Sequence, residues 1–334
     1  MEHIISRRYW WFTLSLLFIA FGFYFLLLHP LVTTGRFQLG LRPSIDFTGG
    51  SLWELYFPQQ TVDQLNSDEI SRIFAENGFD EALVQLSVAE IDARQIGSAI
   101  VRTKSLSPTD PLGDQQRVLN GLNARYTEVT RERLETVGAT LSQEAARNAT
   151  VAVIGASVAI MLYLTWAFRQ APNPLRYGVC SVVAMFHDVV LMFGVVAILG
   201  FFFSVEIDVL FVTALLTILA FSVHDKIVVF DRIRENLIER RGGEIFDDIV
   251  NHSIVQTLPR SINTQLTPLF TLMALLLFGG DTIRNFVLIM LIGLLSGTYS
   301  SIFIAPQLLV MWEHQEWKSW FGRGRREVST VPAN

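Results

Sequence analysis

Apolar residues along the chain fall into six long runs, separated by short polar segments and one long one. Tyr9–Leu28 is apolar for about 20 residues, the length that crosses a bilayer core as a helix. Val151–Phe168, Tyr177–Phe203, Val209–Phe230, Ile262–Phe278 and Phe286–Val310 follow it. The pattern predicts a polytopic α-helical membrane protein with six transmembrane helices. Ser6-Arg7-Arg8 superficially matches a twin-arginine export signal. The run behind it is too long and apolar for that, and no small-residue cleavage site follows, so it reads as an uncleaved first span. Gly279-Gly280-Asp281 closes the fifth run with a tight turn.

The long polar stretch carries a different periodicity. Ser51–Phe57 alternates apolar and polar, which predicts a strand. Val62–Asn77, opened by Thr61 as a cap, has helical spacing. Ala82–Val88 and Ala99–Lys104 read as strands. Asp114–Tyr126 reads as a helix after the turn residues Pro108, Pro111 and Gly113, and Thr127–Val137 alternates again. The order β-α-β-β-α-β predicts one small α+β ferredoxin-like domain at residues 35–147. Its length suffices for one small core. It holds no nucleophile–base pair and no metal-ligand cluster. Glu128, Glu132 and Glu135 are most simply a solvated face. The expectation is a binding or mechanical element, not an enzyme, with no cofactor and no metal.

Loop charge sets the orientation. Arg7 and Arg8 precede span 1; Arg169 and Arg176 lie between spans 2 and 3. Arg232, Arg234, Arg240 and Arg241 follow span 4, and Lys318, Arg323, Arg325 and Arg326 follow span 6. Ser204–Asp208 has no positive residue and Gly279–Asn285 has only Arg284. Residues 1–8, the loop 231–259 and the tail 313–334 are therefore expected in the cytoplasm. Span 1 is assigned to 9–28, the other five to 148–312, and the 35–147 domain to the opposite side.

Composition agrees with this reading. The chain is 51% hydrophobic and only 17% charged, against roughly 25% charged in soluble domains. A net charge of -5 without a basic run argues against nucleic-acid binding. The lone Cys180, inside an apolar run, reads as a packed side chain.

The candidate chemistry lies inside the spans. Asp225 sits in Val209–Phe230 between His224 and Lys226. Ionisable groups at such depth usually line a water path or a proton relay. Asp225 is five residues short of the end of its apolar run, or ~8 Å. Arg260, in the first turn of span 5, is its natural partner at similar depth; the alternative is an arginine snorkelling to the headgroups. An inert buried pair is the alternative for Asp225. Asp188, next to His187 in span 3, either joins the relay or holds span 3 against span 4. Lys226 either snorkels inward or neutralises Asp225, although adjacent helical residues diverge by about 100°. Asp231, Arg232, Arg234, Glu235 and Asn236 continue the helix beyond the bilayer, with Arg232 on the face of Asp225. Asp46-Phe47-Thr48-Gly49-Gly50 reads as a hinge or packed turn between span 1 and the outer domain, since paired glycines permit backbone angles closed to other residues; an ordinary loop is the alternative.

These motifs resemble the SecD/SecF family of protein-export membrane proteins, over nearly the whole chain. Ile45–Gly50 is similar to the family's signature after span 1. Phe221–Asp225, continuing through Val228–Asn236, resembles the fourth-span motif in its SecF version. Arg260-Ser261-Ile262-Asn263-Thr264 resembles the start of span 5, and His187-Asp188 the third-span pair. The resemblance implies a subunit of the bacterial plasma (inner) membrane that pairs with SecD in a twelve-span unit of resistance–nodulation–division architecture. It implies work beside the SecYEG channel, with SecA and YajC nearby, in contact with membrane lipids and an unfolded exported polypeptide. It implies use of the proton-motive force through Asp225 and Arg260. Family members often carry asparagine before the aspartate and a small hydroxyl residue after it; His224 and Lys226 replace them here. The competing expectation is half of a proton-coupled exporter of lipids or small molecules. That would need a substrate cleft and usually two large outer domains.

Overall fold

The structure is a computed structural model that describes residues 4–35, 37–80, 82–91, 94–107, 110–169, 173–239 and 244–316. Pro108, Arg240, Arg241, Lys318, Arg323, Arg325, Arg326 and most of the expected 313–334 tail lie outside the described residues. The chain divides into two units, residues 1–42 with 151–334 and residues 43–150.

The first span is a continuous helix built from α1 (Arg8–Phe23), a π-helical turn (Tyr24–Leu28) and α2 (His29–Thr34). Pro30 has no N–H to give to the carbonyl four residues back, Leu26. The amide of Gly40 donates to that oxygen instead, at 2.7 Å. A Cβ on Gly40 would stand 2.1 Å from the carbonyl of Phe25, so only glycine can make this return contact.

The second unit begins with α3 (Ile45–Thr48) and β1 (Gly50–Phe57). Gly49 and Gly50 have φ of 72° and 114°, angles that other residues resist. A Cβ on Gly50 would meet the carbonyl of Thr103 at 2.4 Å. Of the expected forms, the segment takes the packed turn. There follow α4 (Ser67–Glu76), β2 (Leu83–Ile91), β3 (Arg94–Thr103), α5 (Pro111–Arg125) and β4 (Thr130–Val137). The strands form one antiparallel sheet in the order β2-β3-β1-β4. Trp53, Leu55 and Phe57 alternate inward from β1 and form one core with Ile70 and Phe74 of α4 and Val118 and Leu122 of α5. The predicted helix 62–77 is interrupted, because Asn66 caps α4 by accepting from the amides of Asp68 and Glu69. A 3-10 turn over Val62–Gln64, closed by a Thr61–Gln64 capping box, precedes it. β3 starts five residues earlier than its apolar pattern implies, because Arg94–Ser98 pair with β2 as the second arm of a hairpin.

The remaining spans are α6 (Ala139–Ala167), α7 (Pro174–Phe203), α8 (Val209–Glu239), α9 (Phe246–Phe278), and α10 (Asp281–Phe303) continued by α11 (Ala305–Glu313). Among the described residues, six helical segments are long and apolar enough to cross a membrane. The expected loop 231–259 is mostly helix. The polar ends of α8 and α9 run on past the apolar runs because they bond to each other. Asn236 Nδ2 donates to Ser253 Oγ at 2.8 Å, and Arg232 Nε to Gln256 Oε1 at 2.6 Å.

Glycine sets the closest helix contacts. A Cβ on Gly22 of α1 would stand 2.7 Å from the Cα of Gly194 on α7. On α10, a Cβ on Gly293 would overlap Ile218, and one on Gly297 would press on Ser222, so α10 lies close against α8. Small residues at such spacing let helix backbones approach in a membrane. Cys180 is free and buried, as its apolar setting implied.

Candidate intramembrane charge site

Asp225 stands at the midpoint of α8, sixteen residues after Val209 and fourteen before Glu239, so ~20 Å of helix extends on either side. It is 1% exposed. One oxygen, Oδ2, accepts from Nε2 of Gln265 on α9 at 2.7 Å. The other, Oδ1, lies 3.9 Å from Nδ1 of His224, whose side chain is largely exposed. The carboxylate is thus buried against a neutral amide, with one exposed imidazole at its edge.

The expected Asp225–Arg260 contact is not formed. α9 starts at Phe246 rather than near Leu258, so Arg260 lies a turn and a half short of the depth of Asp225. It is exposed. It also sits five residues before Gln265, about 140° away around the helix at 100° per residue. Gln265 takes the place reserved for it. Pro259 and Pro268 lie inside α9 on either side of this stretch.

Lys226 has settled elsewhere. It is fully buried, and its Nζ lies 2.8 Å from Oδ2 of Asp188. The same oxygen accepts from Ser222 Oγ at 2.6 Å and Ser300 Oγ at 2.8 Å, and Nζ also donates to Ser222 Oγ at 2.5 Å. His187 Nδ1 is 3.2 Å from the other oxygen of Asp188, and its Nε2 bonds Ser15 on α1. Asp188 therefore ties α7 to α8 and α10, with α1 attached through His187. Two intramembrane carboxylates share α8 as a wall but face different sides of it.

The beyond-bilayer motif forms a seam along α8 and α9. Asp231 pairs with Arg234 at 2.9 Å and Arg232 with Glu235 at 2.8 Å, while Asn236 bonds Ser253 and Gln256. Asp46 lies in α3, where its amide donates to the Ser44 cap at 3.2 Å. Gln265, Ser222, Ser300 and Ser15 were missed from sequence. Ser222 was accessible, one helical turn before Lys226 on the same face. Gln265 was a polar residue in an apolar run; Ser15 and Ser300 carry no sequence signal that separates them from packed small residues.

The family described as protein export membrane protein SecD/SecF, C-terminal, matches residues 118–315. The chain is 42% identical to the protein translocase subunit SecF of Thermobaculum terrenum, over 99% of this chain and all of that one. It is 43% identical to the SecF of Anaerolinea thermophila, over 98% and 100%. It is similar to the crystal structure of SecDF, a translocon-associated membrane protein from Thermus thermophilus, at 30% identity and a TM-score of 0.71. That likeness covers 92% of this chain and 38% of the longer one. A polytopic helical chain with one small sheet domain, matched from end to end by SecF subunits, belongs to the SecD/SecF family of protein-export membrane proteins, in its SecF branch.

Proposed function

We propose that this chain is the SecF subunit of a bacterial Sec export machine, which couples the proton-motive force to late movement of polypeptides through SecYEG. It would pair with SecD, near SecA and YajC, in the plasma membrane. Both termini would face the cytoplasm and the 35–147 domain the opposite side. That domain, with β-α-β-β-α-β order, would be a ferredoxin-like head that moves against the unfolded client, and the chain would not be an enzyme.

The observation that carries the reading is Asp225. It is buried at mid-helix, its nearest partner is an uncharged amide, and the ammonium beside it in sequence is committed to another carboxylate. A carboxylate held that way can take a proton without breaking an ion pair, and two states of the surroundings with different affinities suffice for coupling. Each charge moved through the field contributes about 2.3 kcal/mol per 100 mV. Arg260 would enter in a second state, once α9 turns it toward α8. A partner is expected because a six-span half lacks the other half of its repeat. α6 is the least buried of the six spans, and the SecDF relative is more than twice as long as this chain.

Asp225→Asn tests the reading. Membrane insertion should be normal while the part of secretion that responds to the proton-motive force is lost. Secretion at the wild-type rate, with the same response to an ionophore, would remove Asp225 from the cycle.

A further inference from the structure

Lys226 poses a physical problem for any proton-carrying role of Asp225. A fully buried ammonium adjacent in sequence to a carboxylate interacts with it strongly where the dielectric is low. An opposite charge that near normally keeps a carboxylate ionised. The structure answers with Asp188. It spends its charge on Lys226 at 2.8 Å, and Ser222 and Ser300 saturate the same oxygen. The pair is neutral as a unit, fixed by α7, α8 and α10 together.

We infer that Asp188 is a positioning residue that sequesters Lys226, so that Asp225 stays free to exchange its proton. The inference rests on Asp225 being the exchanging group. Among the described residues, three ionisable side chains contact the two carboxylates. His224 and Lys226 come from α8 and His187 from α7. Toward these carboxylates α9 presents the neutral Gln265 and α10 the neutral Ser300, while the neutral Ser15 of α1 bonds the far ring nitrogen of His187. In this arrangement Asp188 acts through Lys226 and not as a proton carrier. Its charge matters only because Lys226 is there.

Epistasis in the full chain with its SecD partner separates this role from a relay. With Asp188→Asn alone, the field of Lys226 is no longer cancelled and Asp225 remains ionised. Proton-dependent secretion should be lost, and labelling of Asp225 by a hydrophobic carbodiimide, which needs the protonated acid, should fall about tenfold or more. Adding Lys226→Met should restore both, because the double variant has no buried charge left to unmask. The labelled peptide is read by mass spectrometry with Asp225→Asn as the blank. If Asp188→Asn alone secretes and labels normally, the ammonium never governed Asp225 and the inference fails. If the double variant inserts but stays inactive, Asp188 itself takes part in proton movement and the inference also fails. Should the single variant not accumulate, the double variant still decides. If Asp225→Asn keeps its response to the proton-motive force, the broader reading fails by itself, whatever Asp188 does.

Discussion

Nε2 of Gln265 lies 2.7 Å from Oδ2 of Asp225, joining α9 to the centre of α8 through one hydrogen bond between buried groups. A bond to a charged group is worth more than a neutral one, and deleting the donor leaves the carboxylate undersolvated, at about 1–3 kcal/mol. Gln265→Leu should therefore insert and accumulate but export several-fold more slowly under a proton-motive force. Translocation into inverted vesicles, with and without an ionophore, measures it. An unchanged ionophore response would make Gln265 a packing residue only.

The Gly22–Gly194 contact makes a second expectation. A Cβ at either position would meet the other helix's backbone, which cannot rotate away as a side chain can. Overpacking costs typically 1–3 kcal/mol even where side chains yield, and α1 and α7 would have to separate. Gly22→Val should lower the melting temperature of the purified chain by several degrees. Gly155→Val, where a Cβ meets nothing within 4 Å, should leave it nearly unchanged. Equal effects at the two sites would mean that helix propensity, not contact, governs.

Most of the framework was legible. Spans read from apolar runs of 17 to 27 residues each coincide with a helical segment to within a residue or so, because a bilayer leaves the backbone few other ways to satisfy itself. Inward alternation at Trp53, Leu55 and Phe57 marked β1 for the same kind of reason. Helix ends were less legible. α8 and α9 continue to Glu239 and from Phe246 on polar cross-helix bonds, which leave no hydrophobic period to read. That shift in the start of α9 misplaced Arg260 and hid Gln265. The partner of Lys226 was equally hidden. Neighbours on a helix diverge, but which of several buried acids a lysine reaches is decided by α7, thirty-eight residues away.

The 43–150 unit carries an acid-sensitive contact. Glu69 of α4 accepts from Arg125 Nε of α5 at 2.6 Å and from the hydroxyl of Tyr126 at 3.0 Å. The hydrogen bond from Arg125 holds its carboxyl below the ordinary value of 4.5. A depressed acid favours the folded form above the unfolded pKa, and that contribution is lost as pH falls through the lower folded value. Wild type and Glu69→Gln should differ in hydrogen-exchange protection of α4 at pH 7. The difference should shrink steadily below about pH 4.5. A gap that widened in acid would contradict the sign.

Two prolines bracket the part of α9 that faces Asp225. Pro259 and Pro268 cannot donate to the carbonyls of Val255 and Thr264, so α9 lacks one rung just before this stretch and one within it. A proline inside a water-soluble helix costs about 3 kcal/mol relative to alanine. In this position the same gaps lower the resistance of one segment to turning against its flanks. Bringing Arg260 to where Gln265 now stands requires about 140° of rotation and about 7.5 Å along the helix axis, part of which the long arginine stem can span, and a fully bonded helix opposes that movement. Pro259→Ala with Pro268→Ala should therefore melt a few degrees higher than wild type and export more slowly, with a stronger loss under a proton-motive force than without one. A variant both more stable and fully active would mean that α9 does not turn, and that Arg260 acts from the exposed position it already holds.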